Sequence, residues 1–209
     1  MVNKLHIPKN IEELTEIYYG PNGNKRNKYE NWAKTKIISP QYEKEVIAIF
    51  GSIGDVVKIS RSRGKTFDFK IDEEKILIEV TSLDSETDQN SVMTEDKIVS
   101  KVNEKISHIL EKDKSSFQDY YTGGVIFYTT ILNFRSELGV LIQDSDFIKK
   151  CEITESDVDF LVFLPESASI NNQDSRKMCP PVFYVKNKSL LRLFSEKFSD
   201  KEYLIKYLS

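Results

Sequence analysis

Apolar residues follow two different periods along the chain, and the change of period predicts its secondary structure. Between residues 39 and 50 the apolar positions have helical spacing, and Pro40 suits the first turn of a helix. After Gly51 apolar and polar residues alternate, which is typical of strands. The strands predicted from this alternation are residues 56–59, 66–71 and 76–81.

A long amphipathic helix is predicted next, from residue 94 to about residue 112. Apolar runs then predict strands at residues 125–128, 160–164 and 182–185, and the tail from residue 189 is predicted to be helical. A helix, three strands, a crossover helix and further strands together predict an α/β fold, in which helices cover both faces of a mixed sheet.

The second and third strands predict a hairpin closed by a four-residue loop, residues 72–75. In that register side chains alternate between the two faces, so a slip of one residue would scatter the apolar set. The opposing pairs on one face are all apolar: Phe67 with Val80, Phe69 with Ile78, and Ile71 with Ile76. The apolar pairs therefore fix the register of the hairpin.

The same register places two carboxylates side by side on the other face, where Asp68 opposes Glu79. Like charges across an antiparallel pair repel one another, and burial raises the cost. A divalent cation with oxygen ligands would remove the conflict. An ion pair with Lys70, which opposes Leu77 on this face, or with the nearby arginines would also remove it, and so would exposure of the whole face to water. The pairing alone leaves these three interpretations open.

Around this hairpin the sequence resembles the PD-(D/E)xK nuclease superfamily. That pattern has an acidic residue on a helix, an Asp beginning one strand, Glu-x-Lys on the next strand, and a helix after it. Glu43, Asp68 and the run Glu79-Val80-Thr81 correspond to it, within residues 40–130. The resemblance implies a restriction endonuclease-like α/β/α sandwich with a central mixed sheet.

The function that the resemblance implies is a metal-dependent DNA endonuclease of the restriction, repair or mobile-element type. Mg²⁺ or Mn²⁺ would be bound by Asp68, Glu79 and the backbone carbonyl of Val80, with Glu43 reaching the ion directly or through water. The ion would acidify a water molecule and stabilise the charge that develops on the phosphate.

The sequence departs from the family pattern at Thr81, which stands where the lysine is expected. Some members of the superfamily supply a lysine from the following helix, and Lys101 is the expected substitute because it lies in the middle of that helix, between Lys97 and Lys105. Lys70 is a second substitute. Thr81 itself can hold a water or a phosphate oxygen, but it cannot replace a cation.

Because that lysine is missing, a second function is also considered. The protein would be a nuclease-like fold that is impaired in catalysis and binds nucleic acid or protein. A third is an unrelated α/β interaction module with solvated carboxylates. Fold alone does not choose among these functions.

The charge of the chain gives no overall signature of nucleic-acid binding, because the net charge is −3. One local cluster is nevertheless basic, and it is either a phosphate-binding patch or a solvated loop. Its members are Lys58, Arg61, Arg63 and Lys65.

Length and composition predict one soluble domain, residues 1–209, located in the cytoplasm and not in a membrane. The nuclease-like core would be residues 40–130. Residues 1–39 and 140–209 would be elaborations that supply target recognition or a homodimer surface. The two cysteines and two histidines argue against a zinc site or a histidine-based triad.

Overall fold

The structure is a computed structural model, and it describes residues 39–59, 66–83, 94–128, 135–165 and 180–208. The chain divides into two compact units, Met1–Glu45 and Val46–Ser209. The predicted boundaries of a nuclease-like core and its elaborations stay a prediction. The described helices are α1 (Ser39–Phe50), α2 (Glu95–Leu110), α3 (Arg135–Gln143), α4 (Ser145–Lys149) and α5 (Lys188–Lys197), and the strands are β1 (Val56–Lys58), β2 (Phe69–Ile71), β3 (Ile76–Leu83), β4 (Tyr121–Tyr128), β5 (Phe160–Pro165), β6 (Val182–Val185) and β7 (Leu204–Tyr207).

The seven strands form one mixed sheet, in which each strand lies beside the next one in the sequence. Strands β1, β2 and β3 are antiparallel, β3, β4 and β5 are parallel, β5 and β6 are antiparallel, and β6 and β7 are parallel. Helix α2 is the crossover that connects the parallel strands β3 and β4. The predicted α/β fold with a mixed sheet and helices is thus confirmed.

The predicted hairpin register is confirmed over β2, where Phe69 opposes Ile78 and Ile71 opposes Ile76. It departs from the prediction at Asp68, whose backbone N–H donates to the carbonyl of Ile78 at 3.1 Å. Asp68 and Phe69 therefore both oppose Ile78, which is the arrangement of a β-bulge. Strand β2 begins at Phe69, so the strand predicted from residue 66 is shorter than expected.

The bulge changes the face on which Phe67 lies. Phe67 packs in the cluster that contains Leu77 and the apolar side of α2. Leu77 and Ile78 point to opposite faces of β3, and Phe69 shares the face of Ile78. The prediction that Phe67 shares a face with Phe69 is wrong, because one extra residue in the ladder shifts the alternation.

Both faces of the sheet are covered by apolar side chains. On one face Ile98, Val102, Ile106 and Ile109 of α2 are buried against the sheet. On the other face the ring of Phe50 contacts the rings of several sheet and α5 residues at centroid distances of 6.2 to 6.5 Å. The described part of the chain has no helix with the length and apolar character needed to cross a bilayer.

The end of the chain differs from the prediction of a helix that continues to the last residues. Helix α5 ends at Lys197, and β7 then pairs in parallel with β6. The N–H of Leu204 donates to the carbonyl of Pro181 at 2.9 Å, which begins this pairing. The edge of a sheet offers unpaired backbone groups, and this non-local pairing is not visible in the local periodicity.

Candidate functional site

The bulge beside β2 directs the Asp68 side chain at the backbone of β3. Asp68 Oδ2 accepts a hydrogen bond of 2.9 Å from the backbone N–H of Val80. A regular ladder would occupy that strand edge with backbone partners, and the bulge replaces one of them with a carboxylate. The Asp68 carboxylate is thereby held next to the peptide bond that joins Glu79 and Val80.

Glu79 is the most unusual carboxylate among the described residues, because it is only 4% exposed. It lies in the middle of β3, which has buried residues on both faces. Burial raises the pKa of Glu79 to about 7, and the negative charge of Asp68 contributes in the same direction. The two carboxylates therefore lie close together, as the sequence predicted, although the bulge moves Asp68 away from the position directly opposite Glu79.

Two side chains near the end of α2 face Glu79. Lys112 Nζ is 2.7 Å from Glu79 Oε1, and the Lys112 side chain is only 10% exposed. His108 Nε2 lies 4.0 Å from the same oxygen, and its side chain is half exposed. Lys112 lowers the pKa of Glu79, in opposition to burial and Asp68. The site thus combines the carboxylates of Asp68 and Glu79, the nearly buried ammonium group of Lys112 and the half-exposed side chain of His108.

Packing between α2 and β4 explains why the end of α2 lies over Glu79. Gly124 of β4 lies directly beside Glu79 in the parallel ladder. A Cβ atom at Gly124 would lie 2.4 Å from Ile109 Cδ1, so only glycine admits Ile109 this close to the sheet. Lys112 follows Ile109 by about one helical turn and therefore reaches Glu79.

The lysines that the sequence predicted have other contacts. Lys70 Nζ is 2.6 Å from Asp72 Oδ2, and Asp72 also accepts a hydrogen bond from the hydroxyl of Tyr120. Lys105 Nζ is 3.1 Å from the carboxylate of its neighbour Glu104. Lys101 is half-buried on α2, roughly 16 Å before Lys112 at 1.5 Å per residue. The lysine that the structure places at Glu79 is Lys112, which the sequence prediction did not select.

A directional argument could have identified Lys112. The helix in a β-α-β crossover runs opposite to the strands that it connects, so its end lies over the beginning of the first strand. Glu79 lies in the first half of β3, and the matching part of α2 is its last turn rather than its middle. Spacing also identifies His108, which precedes Lys112 by four residues and so shares its side of the helix.

The remaining predicted residues are placed as follows. Thr81 is half-buried and points to the same face of β3 as Glu79, two residues away. Lys58 is exposed on β1, whereas Arg61, Arg63 and Lys65 lie outside the described residues. Glu43 lies on α1 in the first compact unit, whereas Asp68 and Glu79 lie in the second, so its part in the site stays a prediction.

The oxygen atoms of this site fit a hard divalent cation. Glu79 Oε2 is buried and faces no hydrogen-bond donor among the described residues, which is costly for a carboxylate oxygen. Mg²⁺ retains several waters and needs only one or two carboxylates from a protein. No group of three or more His, Cys, Asp or Glu residues in the described ranges is arranged to hold a metal by itself. Metal binding by the pair Asp68 and Glu79 therefore stays a prediction.

In comparisons with known proteins, no family model, no curated protein and no solved structure matches the chain.

Proposed function

We propose that the protein is a metal-dependent DNA endonuclease with a restriction endonuclease-like fold, which hydrolyses phosphodiester bonds at the Asp68–Glu79 site. The observation that carries this proposal is the contact between Lys112 Nζ and Glu79 Oε1 at 2.7 Å. A lysine beside two carboxylates is the combination of groups that the nuclease resemblance requires. Lys112 supplies, from the end of α2, the cation that Thr81 lacks.

The order of the elements supports the same proposal. The PD-(D/E)xK pattern has an acidic residue on a helix, an Asp and a Glu on two successive strands, and a helix after them. The chain has the same order, with Glu43 on α1, Asp68 beside β2, Glu79 on β3 and Lys112 after α2. DNA is the partner that this function requires. A homodimer surface outside the core stays a prediction.

In this proposal Mg²⁺ or Mn²⁺ would be held by Asp68, Glu79 and the Val80 carbonyl, and Glu43 keeps the status of a ligand predicted from the sequence. When bound, the ion supplies Lewis-acid polarisation of the phosphate and acidifies a water molecule. Asp68 is oriented by the Val80 N–H and keeps its carboxylate beside Glu79. Lys112 favours the ionised form of Glu79 and offers a positive charge to a phosphate oxygen or an attacking water.

Cleavage of supercoiled plasmid tests this function. The full chain with Mg²⁺ or Mn²⁺ is expected to nick or linearise the plasmid. Asp68→Asn and Glu79→Gln are expected to abolish cleavage, because each removes a metal ligand. Lys112→Met is expected to reduce the rate by about 100-fold or more, which is typical when a charge that stabilises a transition state is lost.

Matched controls separate a loss of chemistry from a general loss of charge. Asp55→Asn removes an exposed carboxylate before β1, and Lys114→Met removes a nearby lysine that is two residues beyond Lys112. Both controls are expected to retain the wild-type rate. Cleavage that persists in Asp68→Asn and Glu79→Gln at the wild-type rate would overturn the proposal.

A second function is favoured by one observation, the ion pair that neutralises Glu79 without a metal. Lys112 Nζ lies within 2.7 Å of Glu79, so the protein itself provides one counter-charge. A nuclease-like module that binds nucleic acid or protein without cleavage would need no more than this. DNA binding without cleavage and without Mn²⁺ binding is the result that selects this function.

A further inference from the structure

Basic residues form a continuous stripe along one side of α2. Lys97, Lys101, Lys105 and His108 are separated by four, four and three residues, and Lys112 continues the spacing after the helix. Residues three or four apart share one side of a helix. We call these five residues the basic flank. It is about 22 Å long at 1.5 Å per residue.

The basic flank is turned toward the carboxylate site. Its last two members, His108 and Lys112, lie 4.0 and 2.7 Å from Glu79 Oε1. The rest of the stripe continues from that point along the same side of α2. Because α2 runs opposite to β3, Lys105 and Lys101 lie toward the part of β3 that contains Thr81.

The other side of α2 is already occupied by the segment around α4. Glu95 Oε1 is 2.6 Å from Lys150 Nζ, and Asn103 Oδ1 accepts a hydrogen bond of 2.9 Å from the N–H of Glu152. The two sides of α2 therefore differ in character. One is packed against the protein through neutral and acidic residues, and the other carries the five basic residues together with one acidic residue, Glu104, which pairs with Lys105.

The burial of the basic flank suits binding of a ligand from solvent. Lys97 and His108 are exposed, while Lys101 and Lys105 are half-buried beside the core positions of α2. A long lysine side chain at such a position buries its aliphatic part and keeps its charged end near the surface. Lys105, whose side chain is 19% exposed, pairs with Glu104, whose side chain is 70% exposed, so a phosphate that replaces the Glu104 carboxylate would approach from its solvated side.

We propose that the basic flank binds successive phosphates of one DNA strand and leads that strand to Asp68 and Glu79. This inference rests on the proposed function. Charge complementarity supports it, since a row of cations about 6 Å apart along the helix suits a regularly charged polyanion. Continuity with Lys112 supports it too, because the row ends at the carboxylate site. An acidic chain can thus bind DNA through a local concentration of positive charge.

The salt dependence of DNA binding tests this inference. Affinity for a labelled 20-base-pair duplex is measured in EDTA across a range of salt concentrations, so that binding is separated from cleavage. Each phosphate contact contributes about 0.9 to the slope of log affinity against log salt. The triple flank variant carries Lys97→Gln, Lys101→Gln and Lys105→Gln. The magnitude of its slope is therefore expected to be smaller than that of the wild type by about 2 to 3.

The control changes the same amount of charge on the opposite face of the sheet, within α5 or just after it. It carries Lys188→Gln, Lys197→Gln and Lys201→Gln, all at exposed positions. The control is expected to keep the wild-type slope. Lys97→Gln alone, at an exposed position, is expected to lose about 0.9 from the slope, and it gives the answer even if the triple flank variant does not fold.

Equal slopes for the flank variant, the control and the wild type would overturn the inference, as would a wild type that does not bind the duplex. The two proposals fail in different ways. If cleavage depends on Asp68 and the slopes do not differ, the nuclease function stands and the basic flank is not its binding surface. If the slopes differ and no cleavage occurs, DNA binding by the flank stands without the nuclease function.

Discussion

At the scale of single residues, Glu79 is where the fold and the proposed chemistry compete. A carboxylate that is 4% exposed is stable only when its charge is matched, and Lys112 provides one positive charge against the two negative charges of Glu79 and Asp68. Burial and Asp68 raise the pKa of Glu79 to about 7 in spite of Lys112. In the absence of metal, burial and Asp68 thus outweigh Lys112 in setting the ionisation of Glu79.

The raised pKa of Glu79 predicts a specific dependence of stability on pH. The pKa of Glu79 is about 7 in the folded protein and near its ordinary value of 4.5 in the unfolded chain. A raised folded-state pKa stabilises the fold fully below 4.5, and this stabilisation is lost as pH rises through 7. The two values correspond to about 3 kcal/mol.

Urea unfolding in EDTA between about pH 5 and pH 8 measures this effect. Wild type is expected to lose up to about 3 kcal/mol more than Glu79→Gln over that range, because glutamine does not titrate. The comparison cancels the other titrating groups. Parallel curves for the two proteins would mean that Glu79 does not have a raised pKa.

At the scale of elements, the position of α2 decides which lysine reaches the carboxylates. Periodicity predicted α2, the hairpin register over β2 and the proximity of Asp68 to Glu79. It did not predict the bulge at Asp68, because one extra residue leaves the apolar alternation of either strand unchanged. It did not predict Lys112 either, because the distance between a helix and a sheet depends on non-local contacts such as that of Ile109 with Gly124.

A double-mutant cycle tests this packing. Gly124→Ala is expected to destabilise the protein by about 1 to 3 kcal/mol, since its Cβ would overlap Ile109 Cδ1. Ile109→Val removes that methyl group and is expected to cost about 1 kcal/mol by itself. Together the two changes are expected to cost less than their sum by about 1 kcal/mol or more. Strict additivity in chemical denaturation would show that Ile109 does not pack against Gly124.

At the scale of the whole molecule, a mixed seven-stranded sheet holds the buried Glu79 and the half-buried Asp68 beside the junction of its antiparallel and parallel strands. Lys112, just after α2, contacts Glu79 there. The net charge of −3 does not reveal this arrangement, because the arrangement depends on where Lys97, Lys101, Lys105 and Lys112 lie along α2 and its continuation, not on an excess of cations. The central claim is that Asp68 and Glu79 together bind a divalent metal. Cleavage depends on that claim, whereas DNA binding by the basic flank is tested without a metal.

The most direct test is a Mn²⁺ titration of the metal-free full chain at about pH 8, followed by the electron paramagnetic resonance signal of free Mn²⁺. At that pH Glu79 is ionised, because its pKa is about 7. Wild type and Asp55→Asn are expected to bind one ion per chain. Asp68→Asn and Glu79→Gln are expected to bind it about tenfold more weakly or worse. Absence of binding by the wild type, or equal binding by all four proteins, would contradict the account.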